Sequence, residues 1–398
     1  MTRFLIFLFP AVMDITVGLL LFVNPMRLTQ AGRSSTLVTA IASIWSVSYL
    51  LANHFVGIWT NRRNVAWLII SSGVSMAILS GCFIIFSGVT AMFVLVFLTG
   101  VSVALFFAPF QYFMKIIGGG DNDGVVRSTA LYTFSWSMGI ALGPFLSGYI
   151  LQYHNWQWCM AMTSLLSILV SVGIYLLKHH ADADARTEND SLTIEPVIRP
   201  KNASYAKMPD LAVMNWISSG LGISVVILIR ALFAKTAKVN NLSDFEAGIV
   251  LFLLSGSQAL SGLSMIFSRT WMYRPVPVCI YGLLGVAATA MFGVVHVVWG
   301  FYAAAVIFGI YSGSMFFYFV FHSLVHPSKS GRYVSINEMV VGGCGIAGPL
   351  FGGVLADSVS MSLPYLASAV MIAGALVYQC VVYAKARNDI QPILKELS

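Results

Sequence analysis

The sequence predicts an all-α membrane protein, and three observations support this fold class. Only 9% of the 398 residues are charged, and the mean hydropathy is +0.84, so almost no water-facing surface remains. The chain contains twelve apolar stretches, and one polar segment from Lys178 to Asp210 divides them into six and six. We therefore predict twelve transmembrane helices arranged in two six-helix bundles.

Each apolar stretch is about 20 residues long, which at about 1.5 Å rise per residue gives a helix of about 30 Å, the thickness of a bilayer's hydrocarbon core. The stretches are apolar throughout, whereas a transmembrane β-barrel shows alternating residues in short segments. In chain order, the predicted spans are Phe4–Val23, Leu37–Trp59, Val65–Ser87, Ala91–Phe113, Thr129–Leu151, Trp158–Leu177, Leu211–Phe233, Ala247–Phe267, Val278–Val298, Gly300–Phe321, Val334–Leu355 and Leu363–Tyr383.

The distribution of basic residues predicts the orientation of these spans. The first span has an acidic residue at its centre and lacks a small-residue cleavage site, so we expect a retained helix rather than a signal peptide. With the N-terminus in the cytoplasm, 17 of the 22 lysines and arginines fall in cytoplasmic segments, as topology requires. We therefore predict a multi-pass protein of the plasma (inner) membrane with both termini in the cytoplasm. The net charge of +7 is then explained by topology, and no nucleic-acid partner is needed.

The chain divides into two related halves. We predict an N-terminal bundle over residues 1–178, a cytoplasmic linker over 179–209, and a C-terminal bundle with a short cytoplasmic tail over 210–398. The linker is too polar to span a membrane or to form a core. A shift of 205 positions carries Arg127 to Arg332, Gly143 and Pro144 to Gly348 and Pro349, and Gly148 to Gly353. This repeat predicts that the two bundles are pseudo-symmetric.

At these residues the chain resembles the major facilitator superfamily over essentially its whole length. The pattern Gly139, Gly143, Pro144 and Gly148 is similar to the fifth-helix motif of that family, which is commonest among proton-coupled exporters. The resemblance implies a secondary transporter with two six-helix bundles and alternating access around a central cavity. It favours the drug/proton antiporter-like exporters, although the subfamily stays open.

A second motif of the family is present in altered form. The segment GIWTNRRN, residues 57–64, is similar to the family's cytoplasmic motif between helices two and three, and it keeps Gly57 and Arg62. Asn61 stands where the family has an acidic residue, and Asn64 replaces its second glycine. Val96 stands where the family's fourth-helix arginine is expected. These departures leave open a transporter-like sensor or scaffold that has lost transport.

Asp14 is the single residue that most strongly suggests a functional role, because it is an acid near the middle of the first span. A carboxylate near the bilayer midplane costs at least ~2.5 kcal/mol on insertion scales unless it is protonated, paired or hydrated. We therefore predict Asp14 as the proton-coupling residue, with protons as the coupling ion. Family members with a first-helix acid use it for coupling or for cation binding, as the resemblance implies. The alternative is a protonated acid hydrogen-bonded to a neighbouring helix.

Arg230 is a cation within the seventh span, five residues before Lys235. Its long side chain can snorkel to the membrane interface, which is a purely structural interpretation. It can also anchor an anionic group of a substrate, because a guanidinium grips carboxylate or phosphate with two parallel hydrogen bonds. An ion pair with Asp14 is a third possibility and requires a long reach.

Further polar and aromatic side chains near mid-span predict a large, mostly apolar cavity with few polar anchors. Each of them is individually explained as well by a helix-to-helix hydrogen bond. With Arg230, the predicted substrate-binding residues are Tyr49, Trp136, Asn215, Gln258, Tyr311 and Tyr318. Such a lining suits an amphipathic small molecule better than an inorganic ion.

Two groups of residues are predicted to control gating. Glu338 opens the eleventh helix and is expected to pair with Arg62 or Arg63 when the cytoplasmic side is closed, because Asn61 cannot carry the usual negative charge. The alternative is an acid that complements the helix dipole. The glycine–proline pairs form the second group, since glycine permits close helix packing and proline bends a helix. The predicted gating residues are Gly57, Asn61, Arg62, Arg63, Glu338, Gly143, Pro144, Gly348 and Pro349.

Catalytic and cofactor motifs are not evident in the sequence. The five cysteines lie within or at the edge of apolar spans, and no two have a metal-ligand spacing. There is no Walker GxxxxGK[ST], HExxH or GxSxG motif, so we predict neither an enzyme nor a metal or other cofactor. We predict a monomeric secondary transporter of a small organic solute in the lipid bilayer, with proton-coupled export. The alternative is an uptake carrier for an anionic or sugar-like solute.

Overall fold

The structure is a computed structural model of the 398-residue chain. It describes the backbone of all residues except 1, 62, 119–123, 186–207, 266, 268–270, 272, 325–329 and 398. Within this described part, twelve helices are long and apolar enough to cross a membrane, which confirms the predicted fold class. These twelve are α1 Thr2–Gln30, α2 Ser35–Trp59, α3 Val65–Ile85, α4 Val89–Gly118, α5 Gly124–Tyr153, α6 Trp156–Ala185, α7 Ala212–Val239, α8 Asp244–Ser264, α9 Pro275–Val294, α10 Val298–Leu324, α11 Ser330–Ser358 and α12 Leu363–Lys385. A short further helix, α13 Arg387–Leu397, follows them.

Several helices extend beyond the predicted spans. Helix α6 continues to Ala185, into the segment predicted as linker, and the predicted tail forms α13. The predictions stop where hydropathy falls, whereas backbone hydrogen bonding continues into polar sequence. In α13, Ile390 is buried against Tyr383 at the end of α12, so this part of the tail is packed onto the C-terminal bundle. Residues 186–207 of the predicted linker lie outside the described residues, and Met208 at its end is buried in the same apolar cluster as Tyr383.

The two halves pack in the same way. Within the first half, α1 packs on α5, α2 on α4, and α3 on α6; within the second, α7 packs on α11, α8 on α10, and α9 on α12. The halves meet along two seams, where α2 contacts α11 and α5 contacts α8. We call the end that carries the α1–α2, α5–α6, α7–α8 and α11–α12 loops the odd-loop face. The opposite end, which carries the start of α1 and the end of α12, is the terminal face.

The fifth-helix glycines allow this close packing. A Cβ atom built at Gly143 would lie 2.6 Å from the Cα atom of Gly18 on α1. Further along α5, a Cβ atom at Gly148 would lie 3.1 Å from the Cα atom of Gly248 on α8. Contacts this short leave no room for a side chain, so α5 packs backbone to backbone on both neighbours.

The repeat places equivalent contacts on α11. A Cβ atom built at Gly348 would lie 3.0 Å from Ser224 Cβ on α7, within the C-terminal bundle. A Cβ atom at Gly353 would lie 2.7 Å from Thr36 Cα on α2, across the seam. Each motif therefore has one glycine that packs inside its bundle and a second that packs on the other bundle. Pro144 and Pro349 lie within α5 and α11 next to these contacts.

Candidate functional site: a polar network between the bundles

Arg230 turns into the protein rather than toward the membrane interface. Its Nη2 atom donates hydrogen bonds to Ser255 Oγ at 3.0 Å and to Gln258 Oε1 at 3.3 Å, both on α8. Its Nε atom is buried without a hydrogen-bond partner. The snorkelling interpretation of this arginine is therefore wrong, and one donor of the guanidinium remains available inside the protein.

Gln258 connects Arg230 to two further helices. Its side chain is 2% exposed, and Oε1 also accepts a hydrogen bond from Ser312 Oγ on α10 at 3.1 Å. Its Nε2 atom donates to Ser137 Oγ on α5 at 3.2 Å. Because α5 belongs to the other bundle, this amide joins the halves at the middle of the α5–α8 seam. An amide suits this place because it donates and accepts at once.

Asp14 is buried on α1, with 7% of its surface exposed. The motif glycine Gly139 makes room for it, since a Cβ atom built there would lie 2.7 Å from Asp14 Cβ. The carboxylate interacts electrostatically with Arg230. The two described side chains make no nitrogen–oxygen contact within 4.0 Å, so this is a longer-range interaction and not a direct ion pair. Opposite charges still attract strongly at such distances in a low-dielectric interior.

The odd-loop face is closed by polar contacts between the bundles. Gln30 Nε2 donates to Asp244 Oδ2 at 3.0 Å, and Lys238 Nζ donates to the Thr29 carbonyl oxygen at 2.9 Å. At the second seam, the Asp357 carboxylate accepts hydrogen bonds from the first turn of α2. At this end, the bundles are thus bonded between α1 and both α7 and α8, and between α2 and α11.

At the terminal face, the end of α2 is exposed and, among the described residues, is not packed between the bundles. Ile58 and Trp59 are 70% and 63% exposed, and no atom of the described residues beyond the adjacent helix backbone lies within 4 Å of a Cβ atom built at Gly57. The following loop is ordered locally, because Asn61 Oδ1 accepts hydrogen bonds from the backbone N–H groups of Arg63 and Asn64. Arg63 itself is exposed. The side chains of Arg62 and Glu338 lie outside the described residues, so the predicted pairing with Glu338 stays a prediction.

Two predicted substrate-binding residues make aromatic contacts. The Trp136 ring on α5 contacts the Phe316 ring on α10 edge-on, with centroids 5.7 Å apart. Tyr49 stacks on Trp45 within α2, with centroids 4.9 Å apart. The Trp136–Phe316 contact supplies apolar surface between the two bundles.

The remaining three predicted substrate-binding residues are apart from that network. Asn215 donates to the Leu211 carbonyl oxygen of its own helix at 3.1 Å. Tyr311 packs within the C-terminal bundle, where a Cβ atom built at Gly285 of α9 would lie 2.7 Å from its ring. Tyr318 lies in a second apolar cluster toward the terminal face, against Trp271. The structure therefore brings together Asp14, Arg230 and Gln258, whereas Tyr311 and Tyr318 line a cavity within the C-terminal bundle.

Several residues of the network and the closed face were missed by the sequence analysis. Ser137, Ser255 and Ser312 complete the hydrogen bonds of Gln258 and Arg230, and Asp244 and Asp357 bind across the bundles. The two acids lie at helix ends beside short loops, where solvent-exposed acids are common, so their positions in the sequence do not indicate a contact between the bundles. Within the described residues, no group of three or more side chains is arranged to hold a metal ion.

Comparisons with known proteins agree with this architecture. A family model described as Major Facilitator Superfamily matches residues 5–326. No curated protein sequence matches the chain. Among solved structures, a nucleoside transporter, NupG, aligns with TM-score 0.66 at 14% identity, covering 96% of this chain and 98% of that one, and a point mutant of NupG aligns with TM-score 0.67. A bacterial homologue of the human lysosomal transporter Spinster, in an inward-facing and occupied conformation, aligns with TM-score 0.63 at 14% identity, covering 99% of this chain and 97% of that one.

Proposed function

The chain belongs to the major facilitator superfamily, and from this premise we propose that it moves a small organic solute across the membrane by proton-coupled alternating access. The observation that carries the proposal is the buried network in which Asp14 and Arg230 interact at the junction of the two bundles. A titratable acid and a fixed cation in a membrane interior mark a substrate or proton pathway. Their position at a seam couples their charge state to the movement of the bundles.

The contrast between the two faces supports alternating access. The odd-loop face is closed by hydrogen bonds from α1 to α8 and from α2 to α11, while the end of α2 at the terminal face is exposed. With the N-terminus in the cytoplasm, this arrangement corresponds to an inward-facing state. The seams contain close glycine contacts, which allow one bundle to rock against the other.

The proposed coupling uses the charge of Asp14. When Asp14 is ionised, its carboxylate attracts the Arg230 guanidinium and offsets the cost of burying that cation. When Asp14 takes up a proton, this attraction is lost, and the charge of the buried network changes. In export by exchange, the proton competes at Asp14 with a solute that binds the ionised carboxylate, so the binding of one releases the other. The fifth-helix glycine motif favours export as the direction.

Uptake of an anionic solute is a second candidate. The buried Arg230 Nε atom without a partner supports it, because a carboxylate or phosphate group would satisfy this donor. In that case the solute anion would take the place of the Asp14 charge beside Arg230. Proton and anion would then move in the same direction.

The test is a pH-gradient assay in proteoliposomes with amphipathic, sugar-like and organic-anion solutes. We expect solute-triggered proton flux that is lost in Asp14→Asn. The matched control is Asp389→Asn, which removes an exposed acid of α13 and should leave the flux unchanged. Solute flux without proton flux, equal in all three proteins, would contradict proton coupling. Flux that is carried by anions alone and lost in Arg230→Gln would select the second candidate.

A further inference from the structure

Helices α2 and α8 occupy equivalent positions in the repeat, but their first turns are capped differently. In α8 the cap belongs to the helix itself, since Ser243 Oγ accepts a hydrogen bond from the Glu246 N–H and the Glu246 carboxylate accepts one from the Ser243 N–H. In α2 the N-cap Ser34 accepts a hydrogen bond from the Leu37 N–H. No acid in the first turn of α2 completes a capping box.

The missing acid is supplied by the other bundle. Asp357, on the last turn of α11, accepts hydrogen bonds from the N–H of Ser35 at 2.7 Å and of Thr36 at 2.8 Å, and from Thr36 Oγ1 at 2.7 Å. A carboxylate at this position satisfies free N–H groups of the first turn and complements the positive end of the helix dipole. The cap of α2 is therefore also a bond between the bundles.

The helix packing places Asp357 for this role. Gly353 lies one turn earlier on the same face of α11, and its contact with Thr36 and Thr39 brings the two backbones close together. Asp357 also interacts electrostatically with Lys235 on α7, which belongs to its own bundle. If α2 moves away, Lys235 remains as a counter-charge for Asp357, whereas the first turn of α2 loses its cap.

We propose that Asp357 is a positioning residue that holds the odd-loop face closed by capping α2 across the seam, and that this cap breaks each time the face opens. The equivalent helix α8 keeps its cap in either state, because Ser243 and Glu246 belong to the same helix. The inference rests on the proposed alternating access, because it assigns the residue that sets the balance between its two states.

The test is hydrogen–deuterium exchange of the purified full chain, comparing the unsubstituted protein, Asp357→Ala and the matched control Glu246→Ala. For Asp357→Ala we expect exchange at the first turn of α2 and at the end of α1 to rise about fivefold, as for loss of a helix cap. Exchange at the exposed end of α2, residues 55–61, should fall, because that end closes when the odd-loop face opens. Glu246→Ala should raise exchange at the start of α8 and leave residues 55–61 unchanged.

A rise confined to the first turn of α2 would show that Asp357 has a local capping role, and would overturn the proposal. Equal effects of the two variants on residues 55–61 would overturn it as well. Thr36→Val, which removes one of the three hydrogen bonds, should shift exchange in the same directions by a smaller factor and guards against a misfolded alanine variant. Because this readout needs no solute, a failure of solute transport in proteoliposomes would leave the result for Asp357 standing.

Discussion

Gln258 is the residue on which the polar network depends, because its amide bonds to Arg230, Ser312 and Ser137 on three different helices. Two of these partners keep another hydrogen bond without it. Ser312 also donates to the Gly309 carbonyl oxygen. Arg230 keeps its bond to Ser255 but already has one unpaired nitrogen. The guanidinium is thus held by Ser255 and Gln258 together.

We predict that Gln258→Leu lowers the free energy of unfolding by about 1–3 kcal/mol, because it removes the acceptor of one Arg230 N–H group and the donor to Ser137 Oγ. Once the anchor of Arg230 is lost, solute affinity should fall about tenfold, which corresponds to about 1.4 kcal/mol. Thermal unfolding and isothermal titration calorimetry in detergent measure the two effects. Gln391→Leu, at an exposed position of α13, is the control. An unchanged affinity in Gln258→Leu would contradict a role for Gln258 in anchoring Arg230 for the solute.

The sequence predicted the charged and amide members of this network but not its serines. Asp14, Arg230 and Gln258 stand out because such groups are costly inside apolar spans. Serine gives no such signal, since it commonly bonds to its own helix, as Ser80 does to the Met76 carbonyl oxygen. Whether a serine faces its own backbone or another helix depends on the rotation of the helix, which hydropathy does not specify.

At the scale of elements, the two glycines of α5 have separable roles. Gly143 packs on Gly18 inside the N-terminal bundle, whereas Gly148 packs on Gly248 and the Asp244 carbonyl oxygen across the seam. Bulk at the first position strains one bundle in every state. Bulk at the second position strains the molecule when the odd-loop face is closed.

We predict that Gly143→Ala lowers the free energy of unfolding by about 1–3 kcal/mol through overpacking, with little change in the balance of states. Gly148→Ala should instead favour the state that is open at the odd-loop face. Thermal unfolding measures the first effect, and hydrogen–deuterium exchange at residues 55–61 measures the second. Gly81→Ala, where no atom lies within 4 Å of the added Cβ, is the matched control for a helical glycine. Identical effects of the two α5 substitutions would contradict this separation.

The number and order of the transmembrane helices could be predicted because each needs about 20 apolar residues to cross the bilayer. Their ends could not, since α6 and α11 continue into polar sequence beyond the membrane. The amphipathic helix α13 was missed for a related reason. Its charged residues give a low hydropathy, although Ile390 packs against the end of α12.

At the scale of the whole molecule, the orientation of the chain in the membrane decides whether this structure is inward-facing or outward-facing. The basic residues predict that the terminal face is cytoplasmic, so the odd-loop face would be outside and closed. In the reverse orientation, the same structure would be outward-facing. Orientation therefore decides which compartment the exposed end of α2 contacts.

We predict that a cysteine at position 58, Ile58→Cys, reacts with a membrane-impermeant maleimide only after the cells are permeabilised. Ser360→Cys, at an exposed position of the α11–α12 loop, should react in intact cells. The unsubstituted protein measures any background from its own five cysteines. The opposite pattern would place the terminal face outside and contradict the inward-facing assignment. With the predicted pattern, Asp357→Ala should slow the labelling of Ile58→Cys in permeabilised cells, because opening of the odd-loop face closes the end of α2 at the terminal face.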